Sequence, residues 1–429
     1  MRIVHLGLGA FFRAHSAWYT HAVAGEDPWG IAAFAGRGAG LAARLAAQDG
    51  CYTLIERGPE ADRTETVTSV VAAYAGGDLA ALARTLADPA TALVTLTVTE
   101  AGYRRGGDGR LDVGDPHVQA DLAALGGGAG QPQTAPGRLV AGLAARWRAG
   151  AGPLAVVPCD NLPANGPALR TVTLDMARPL EATFRVWVEK EVSFVSTVVD
   201  RITPATTPAD VEEATRSSGC LDRVPVVAEP FHEWVLSGAF PAGRPPWEQA
   251  GAAFVDDVGP FERRKLWFLN GGHSLLAYVG LLRHHQTVAS AFGDPVCRDT
   301  LERWWDEAEG VLGAEGTDRY RAALRERFAN GRIAHSLNQI ARDGTEKLAV
   351  RILPVMHAAH HAGRQAPAGA EVLAAWAAWV AGAGSHLVDP KAAVLRRAAG
   401  DVGSLLAVLG AHGAIEAEVR TVQNRFPLS

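Results

Sequence analysis

Apolar runs of β-forming residues alternate with alanine-rich helical stretches up to about residue 250, and beyond that point the β runs stop. The segments TALVTLTVTE (91–100) and PLAVVPCDN (153–161) are rich in Val, Leu and Thr, as strands buried on both faces are. VSFVSTVVDRITP (192–204) is read as a further strand ending in charge. Between such runs lie GDLAALARTLAD (77–88) and PGRLVAGLAARWRAG (136–150), which read as helices, while ALGGGAGQPQTAP (124–136) reads as a loop. Alternation of this kind predicts a mostly parallel, doubly wound sheet, in which ligands bind beyond the carboxyl ends of the strands. The runs place Glu100, Asp160, Asn161 and Asp200 at such ends. Any one of them alone is compatible with a solvated loop residue, the lesser reading; three polar strand ends together point to a site.

The first strand of the series opens the chain. In RIVHLGLGAFFRAH, Ile3 to Leu6 is an apolar run, Gly7-x-Gly9 follows, and a helix is expected from Phe11. Strand, glycine turn and helix together aim backbone N–H groups at a pyrophosphate. Phe12 stands where the G-x-G-x-x-G fingerprint has its third glycine, so the motif alone is also compatible with a tight turn in any α/β fold.

After the proline- and glycine-rich stretch AFPAGRPPWEQAGAAF (239–254), helical patterns dominate, and an all-helical second domain is expected, with boundaries of 1–248 and 249–429. Its first helix lies in GPFERRKLWFLNGGHSLLAYVG (259–280), which carries Lys265, Asn270 and His273 among leucines and aromatics. With Lys265 set at 0° and about 100° per residue, Glu262 falls at about 60°, His273 at about 80° and Asn270 at about 140°. The four polar groups share one arc, either as a solvated face or as a converging site. Pro260 suits the first helical position, with Asp256 or Asp257 as cap. Such a start puts Lys265 near the positive end of the helix dipole, and burial there would further disfavour its charged form. A neutral amine is a competent general base. Gly271 and Gly272 inside the helix suggest that a ligand or another backbone comes close.

At 429 residues the chain is long enough for two domains, and its net charge of −5 with scattered basic residues argues against nucleic acid as a partner. Cys51, Cys159, Cys220 and Cys297 stand far apart, which excludes a zinc ribbon, disfavours a disulfide framework and fits a reducing cytoplasm. The N-terminus enters a strand directly, with no signal peptide read, and no apolar stretch has the length to span a bilayer.

Taken together, HLGLGAFFRAHSAWYTH, DGCYTLIERG (49–58), VTLTVTEAGY (94–103), PCDNLPANG (158–166), VVDRITP (198–204), KLWFLNGGHSLLAYVG (265–280) and ARDGTEKLAVRILP (341–354) resemble the polyol-specific long-chain dehydrogenase family. That group includes mannitol 2-dehydrogenase, arabinitol dehydrogenase, fructuronate reductase and tagaturonate reductase. The resemblance implies a Rossmann-type N-terminal domain, a helical C-terminal domain and metal-independent hydride transfer to NAD at the cleft between them. It implies Lys265 as general base, Asn161 and Asn270 as amides holding the developing oxyanion, His273 as a substrate-orienting residue, and Glu262 as a link to proton exit. Asp200 and Lys347 match substrate contacts, with Arg351 a further cation for a substrate carboxylate. The cofactor set is Gly7, Gly9, Ala10, Phe11, Arg37, Thr99 and Glu100.

The departures from the family pattern bear on specificity. Ala101 stands where the family commonly has lysine, and WGIAAFAGRG offers Arg37 rather than an acid for the ribose, leaving NADP open beside NAD. Gln339, eight before Lys347, is closer to the uronate reductases. The expected substrate is therefore a small sugar alcohol or aldonate, or the matching ketose or ketouronate, handled by a monomer or small homo-oligomer without nucleic acid or membrane. The competing reading, a catalytically silent sugar- or nucleotide-sensing protein on the same fold, is opposed by the intact Lys265, Asn161, Asn270 and His273 set.

Overall fold

The computed structural model describes residues 1–36, 38–219, 221–313 and 317–428; Arg37 and Cys220 lie outside the described residues. Two compact units are present, Met1–Gly259 and Pro260–Ser429.

The strands of the first unit are β1 (Ile3–Leu6), β2 (Ile31–Phe34), β3 (Tyr52–Arg57), β4 (Asp62–Val67), β5 (Val70–Tyr74), β6 (Leu93–Leu96), β7 (Leu154–Pro158), β8 (Val192–Phe194), β9 (Ser196–Asp200), β10 (Val226–Ala228), β11 (Glu233–Ser237) and β12 (Ala253–Phe254). Six of them form a parallel sheet in the order β5-β2-β1-β6-β7-β8, the arrangement of a dinucleotide-binding fold. Alternate residues serve opposite faces, as a pleated strand requires. Ile3, Leu93, Ala155 and Val157 enter one buried cluster, and Val4, Leu6, Val94, Leu96, Leu154 and Val156 the other. Both faces are therefore covered, which is why these runs read as continuously apolar. The connecting helices include Leu79–Ala87, capped by Asp78, and Ala135–Ala149, capped by Thr134.

Two small sheets complete the unit, β10-β3-β4 and β12-β11-β9. Here the structure corrects one expectation. Residues 192–204 do not make one strand of the main sheet: β8 pairs parallel with β7, whereas β9 pairs antiparallel with β11. The buried amide of Asn165 accounts for the break. Its side chain donates to the carbonyl of Thr197 at 3.1 Å and accepts from the Thr197 amide at 2.9 Å, replacing the strand partner that β7 would have supplied. Asp200 thus ends a strand outside the main sheet. The hairpin β3–β4 was not legible because β4, DRTETV, is almost wholly polar and exposed.

In the second unit every regular element among the described residues is helical. The longest helices are Pro295–Leu312 and Pro367–Gly382. The first begins with proline after a capping aspartate, since Asp294 accepts from the Val296 amide at 2.9 Å. The second has no cap of its own. Glu307, on the neighbouring helix, takes the amides of Ala368 and Gly369 at 2.7 and 3.0 Å. Among the described residues no helix is long and apolar enough to cross a membrane, and Cys51, Cys159 and Cys297 are unbridged.

Candidate active site

In the main sheet the chain order reverses between β1 and β6, and there Gly7 leaves β1 at φ +113°. A Cβ on Gly7 would lie 2.1 Å from the carbonyl oxygen of Thr97, so the position requires glycine. The Gly7 amide donates to Phe34 at 2.9 Å, and its carbonyl accepts from the Thr97 hydroxyl at 2.7 Å. Gly9 then leads into the helix Ala10–Ala14 with no side-chain cap. The first turn therefore offers backbone donors to a ligand. Phe12, at the third glycine position, is buried and stacks on the His5 ring of β1 at 3.6 Å. Helix and strand are thus packed through an aromatic stack instead of a close glycine contact, while the turn keeps its form. Burial pushes His5 down to about 3, and Thr95 and Thr97 hydroxyls hold its ring at 2.8 and 3.0 Å.

A cavity of about 370 Å³ is lined by Gly7, Gly9, Ala10, Phe11, Thr99, Glu100 and Asn161. It gathers most of the cofactor set read from the sequence. Asn161 is exposed at the end of β7. Its neighbour Asp160 accepts from the Tyr103 hydroxyl and, at 3.2 Å, from the Leu162 amide, and burial pushes Asp160 up to about 6. A second cavity, of about 620 Å³, has Gly36, Gly76, Gly77, Arg104, His117 and Arg138 among its lining residues. Arg138 is fixed there by the carbonyls of Ala35 and Gly76 at 2.8 and 3.0 Å. No carboxylate lines this second cavity among the described residues.

In the second unit, the helix that begins at Gly259 does not stay α-helical. Gly259 donates to Asp257 at 2.8 Å, the helix runs to Arg264, a π turn spans Lys265–Asn270, and Gly271–Leu282 resumes the α form. In a regular α-helix Asn270 would sit about 140° round from Lys265. The i→i+5 bonding of a π turn advances fewer degrees per residue, so the angle between these two is narrower than in an α-helix. The arc drawn from uniform helical spacing is corrected accordingly. Lys265 and Asn270 are half-buried, and Glu262 lies in the turn before.

The carbonyls of the widened turn are taken by side chains. Trp304 Nε1 donates to Trp267 at 2.9 Å and Trp305 Nε1 to Phe268 at 3.0 Å. Arg351 donates to the Asn270 carbonyl at 3.3 Å and to the Ser274 hydroxyl at 3.2 Å. A Cβ on Gly271 would lie 2.9 Å from Trp304 Nε1, and one on Gly272 3.0 Å from Leu301 Cδ1. The glycine pair therefore admits neighbouring side chains, where the sequence had suggested a ligand or another backbone.

His273, three residues beyond the π turn, is buried with its ring 4.8 Å from Phe328 and 4.8 Å, edge-on, from His335. Burial, followed by the nearby positive charge, holds His273 well below its ordinary range, so the ring is neutral. His273 Nε2 and His335 Nδ1 are buried without a hydrogen-bond partner among the described residues. Lys347 donates to the Ile340 carbonyl at 3.1 Å. Burial and then Arg351 lower Lys347, and burial brings Arg351 down to about 10.

The chain matches the mannitol dehydrogenase Rossmann domain over residues 1–249 and the mannitol dehydrogenase C-terminal domain over residues 257–423. It belongs to the mannitol dehydrogenase family. A D-mannonate oxidoreductase of Escherichia coli (strain K12) is 38% identical over 368 residues, covering 82% of this chain and 74% of the relative. A substrate-free D-sorbitol dehydrogenase structure superposes with a TM-score of 0.90 at 29% identity, covering 99% of this chain and 92% of the other. The Pseudomonas fluorescens mannitol 2-dehydrogenase in ternary complex with NAD and D-mannitol gives 0.80 at 33% identity, covering 99% and 91%. This family member is accordingly a dehydrogenase.

Several residues that shape the site in this mannitol dehydrogenase family member escaped the sequence reading. His335 carries no motif signal, and Trp304 and Trp305 read as an ordinary apolar face of CRDTLERWWDEAEGVL. Arg104, His117 and Arg138 gave no warning that they share a cavity. One group has metal-ligand spacing among the described residues: His285, Asp294 and Cys297, with ligand atoms within 4.8 Å of one another. Its carboxylate is already engaged by Arg283 at 2.7 Å and His285 at 2.9 Å, and burial pushes the Cys297 thiol up to about 12. The group reads as an ion-paired carboxylate beside a protonated thiol rather than an open ligand set.

Proposed function

We propose that this chain oxidises a secondary hydroxyl, C2 of a hexitol or aldonate, to the ketone (ketose or ketouronate), with NAD as cofactor, Lys265 as general base and no metal ion. The observation that carries the reading is the π turn spanning Lys265–Asn270, which narrows the angle between the two residues. Oxidising an alcohol requires a proton to leave oxygen as hydride leaves carbon, so a base and hydrogen-bond donors must address the same oxygen. Lys265 Nζ takes that proton, and the side-chain amides of Asn270 and Asn161 donate to the oxygen as negative charge develops on it. Neutral His273 orients the substrate hydroxyls, Glu262 passes the proton from Lys265 towards solvent, and Asp200 holds a further hydroxyl.

The turn at Gly7 and Gly9, the uncapped start of Ala10–Ala14 and the cavity reaching Thr99 and Glu100 suit a dinucleotide pyrophosphate. NAD, when bound, supplies the hydride acceptor. The groups acting on His273 and His335 include Arg327, Arg351 and Lys347, all cationic, which favours a substrate that bears a carboxylate. The mannonate relative points the same way. The three unbridged cysteines suit work in the cytoplasm.

The test is NADH formation with mannitol, arabinitol, sorbitol, mannonate and altronate, repeated with NADP and after dialysis against a chelator. Aldonate oxidation that survives chelation is expected. If none of the five is turned over with either nucleotide, the reading fails.

A further inference from the structure

We propose that Trp304 and Trp305 are positioning residues that hold the π turn, and through it the alignment of Lys265 with Asn270, by means of their indole N–H groups. The inference rests on the reading that Lys265 and Asn270 act on the substrate oxygen.

Adopting a π turn inside a helix has a cost. The widened turn departs from the optimal i→i+4 bonds, which is why such turns are rare and persist where neighbouring structure or function demands them. Here the demand is visible atom by atom. Two consecutive carbonyls, Trp267 and Phe268, each receive one indole N–H, at 2.9 and 3.0 Å, from two consecutive residues of the helix Pro295–Leu312. Both indoles are fully buried, as are Phe268 and most of Trp267. The Phe268 carbonyl also accepts from the Gly271 amide, so its indole is a second donor there; each indole N–H is a hydrogen bond that, once removed, buried surroundings give no water to replace.

The glycines complete the device. The would-be Cβ of Gly271 lies within 2.9–3.2 Å of three atoms of the Trp304 indole, and that of Gly272 lies 3.5 Å from Trp305 Nε1. A side chain at 271 would push the Trp304 donor off the carbonyl it serves, and one at 272 would press on Leu301 and Phe328 while only touching Trp305. Gly-Gly in the first turn after the π segment and Trp-Trp on the opposing helix are therefore two halves of one contact. Arg351 adds a third donor at the far end of the turn, on the Asn270 carbonyl.

What the contact controls is rotation. If the turn relaxes towards α geometry, the angle between residues five apart widens to about 140°. Lys265 then no longer faces the oxygen that Asn270 holds, and misplacement of this kind costs about 10²-fold in rate. A donor lost from one indole should cost part of that, and both should cost most of it.

The experiment compares Trp304→Phe, Trp305→Phe and the double variant with Trp234→Phe and Lys265→Ala. Phenylalanine keeps an aromatic ring but removes the donor. Trp234 is the control, because it is equally buried and its Nε1 has no hydrogen-bond partner among the described residues. Steady-state kinetics well below the melting temperature should give a kcat about tenfold lower for each single variant and about a hundredfold lower for the pair. The NADH dissociation constant and the KM for sugar should stay near the parent values, and Trp234→Phe should keep its kcat. A folded double variant, or folded single variants if the pair does not fold, with kcat within about twofold of the parent overturns the proposal. So does an equal loss in Trp234→Phe, which would assign the effect to ring volume. Lys265→Ala separates this outcome from failure of the underlying reading. If that variant is inactive while the tryptophan variants are normal, only the clamp is wrong; if Lys265→Ala turns over normally, the base assignment itself falls.

Discussion

Replacing Lys265 by alanine removes one half-buried amine from a turn whose carbonyls are held by other side chains. The fold and NADH binding should therefore survive, while turnover falls by at least the 10²–10⁴-fold that base catalysis typically supplies. The ionisation that limits alcohol oxidation at low pH should disappear from the pH profile, and small primary amines should restore part of the rate. Near-normal turnover would return this stretch to a solvated face. Lys347 answers a different question. Its ammonium is half-buried near His335 and donates to the Ile340 carbonyl, which leaves it further N–H groups for an anionic substrate group. Lys347→Met should lower kcat/KM for an aldonate by about ten- to a hundredfold, the worth of a charge-assisted hydrogen bond, and spare the matching polyol. Equal losses on both would point to a plain polyol substrate. Lys265, Asn270 and His273 were legible because one short stretch of chain carries them all. Arg351 was legible as a cation, but not as the donor that ties Asn270 to its neighbours, since that depends on a helix far along the chain.

Helices in the second unit complete one another's ends, and this makes one of them sensitive to pH. Glu307 serves the first amides of Pro367–Gly382, yet burial outweighs those hydrogen bonds and pushes its carboxyl up to about 7, with Glu418 adding to the effect. The folded-state value thus lies above the unfolded one, near 4.5. Stability from this group is complete below about pH 4.5 and is lost as pH rises through about 7. Glu307→Gln removes that titration. Melting temperatures of variant and parent should diverge in the variant's favour between pH 5 and pH 8; a constant difference across that range would show that the carboxyl titrates normally. The π turn belongs to this scale too. No local pattern in KLWFLN marks it, because the donors that stabilise it sit 37 residues away in sequence. Strand β9 has the same explanation. Thr197 leaves the main sheet because Asn165, 32 residues earlier, occupies its backbone groups.

Across the whole chain, the nucleotide cradle and the proposed base belong to separate compact units, so their failures should be separable. A Cβ at Gly9 meets only the Gly7 carbonyl, at 3.6 Å, and the backbone there is extended, so Gly9→Val should fold. Its branched side chain would fill the approach to the uncapped helix start. The apparent constant for NAD should rise at least tenfold while that for sugar stays put; if neither moves, the pyrophosphate sits elsewhere. The sequence by itself determined that the first unit is a parallel α/β sheet and the second helical, because the period of apolar residues reflects what each element must bury. It also determined the candidate chemistry, because Gly7, Gly9, Lys265, Asn270 and His273 lie in contiguous motifs. Only the tertiary structure decided that Asp200 leaves the main sheet, that His335 joins His273, and that a pair of indoles donates to the π turn that carries Lys265 and Asn270. Each of these depends on a contact between distant stretches of chain, and the energy of such a contact has no counterpart in local sequence.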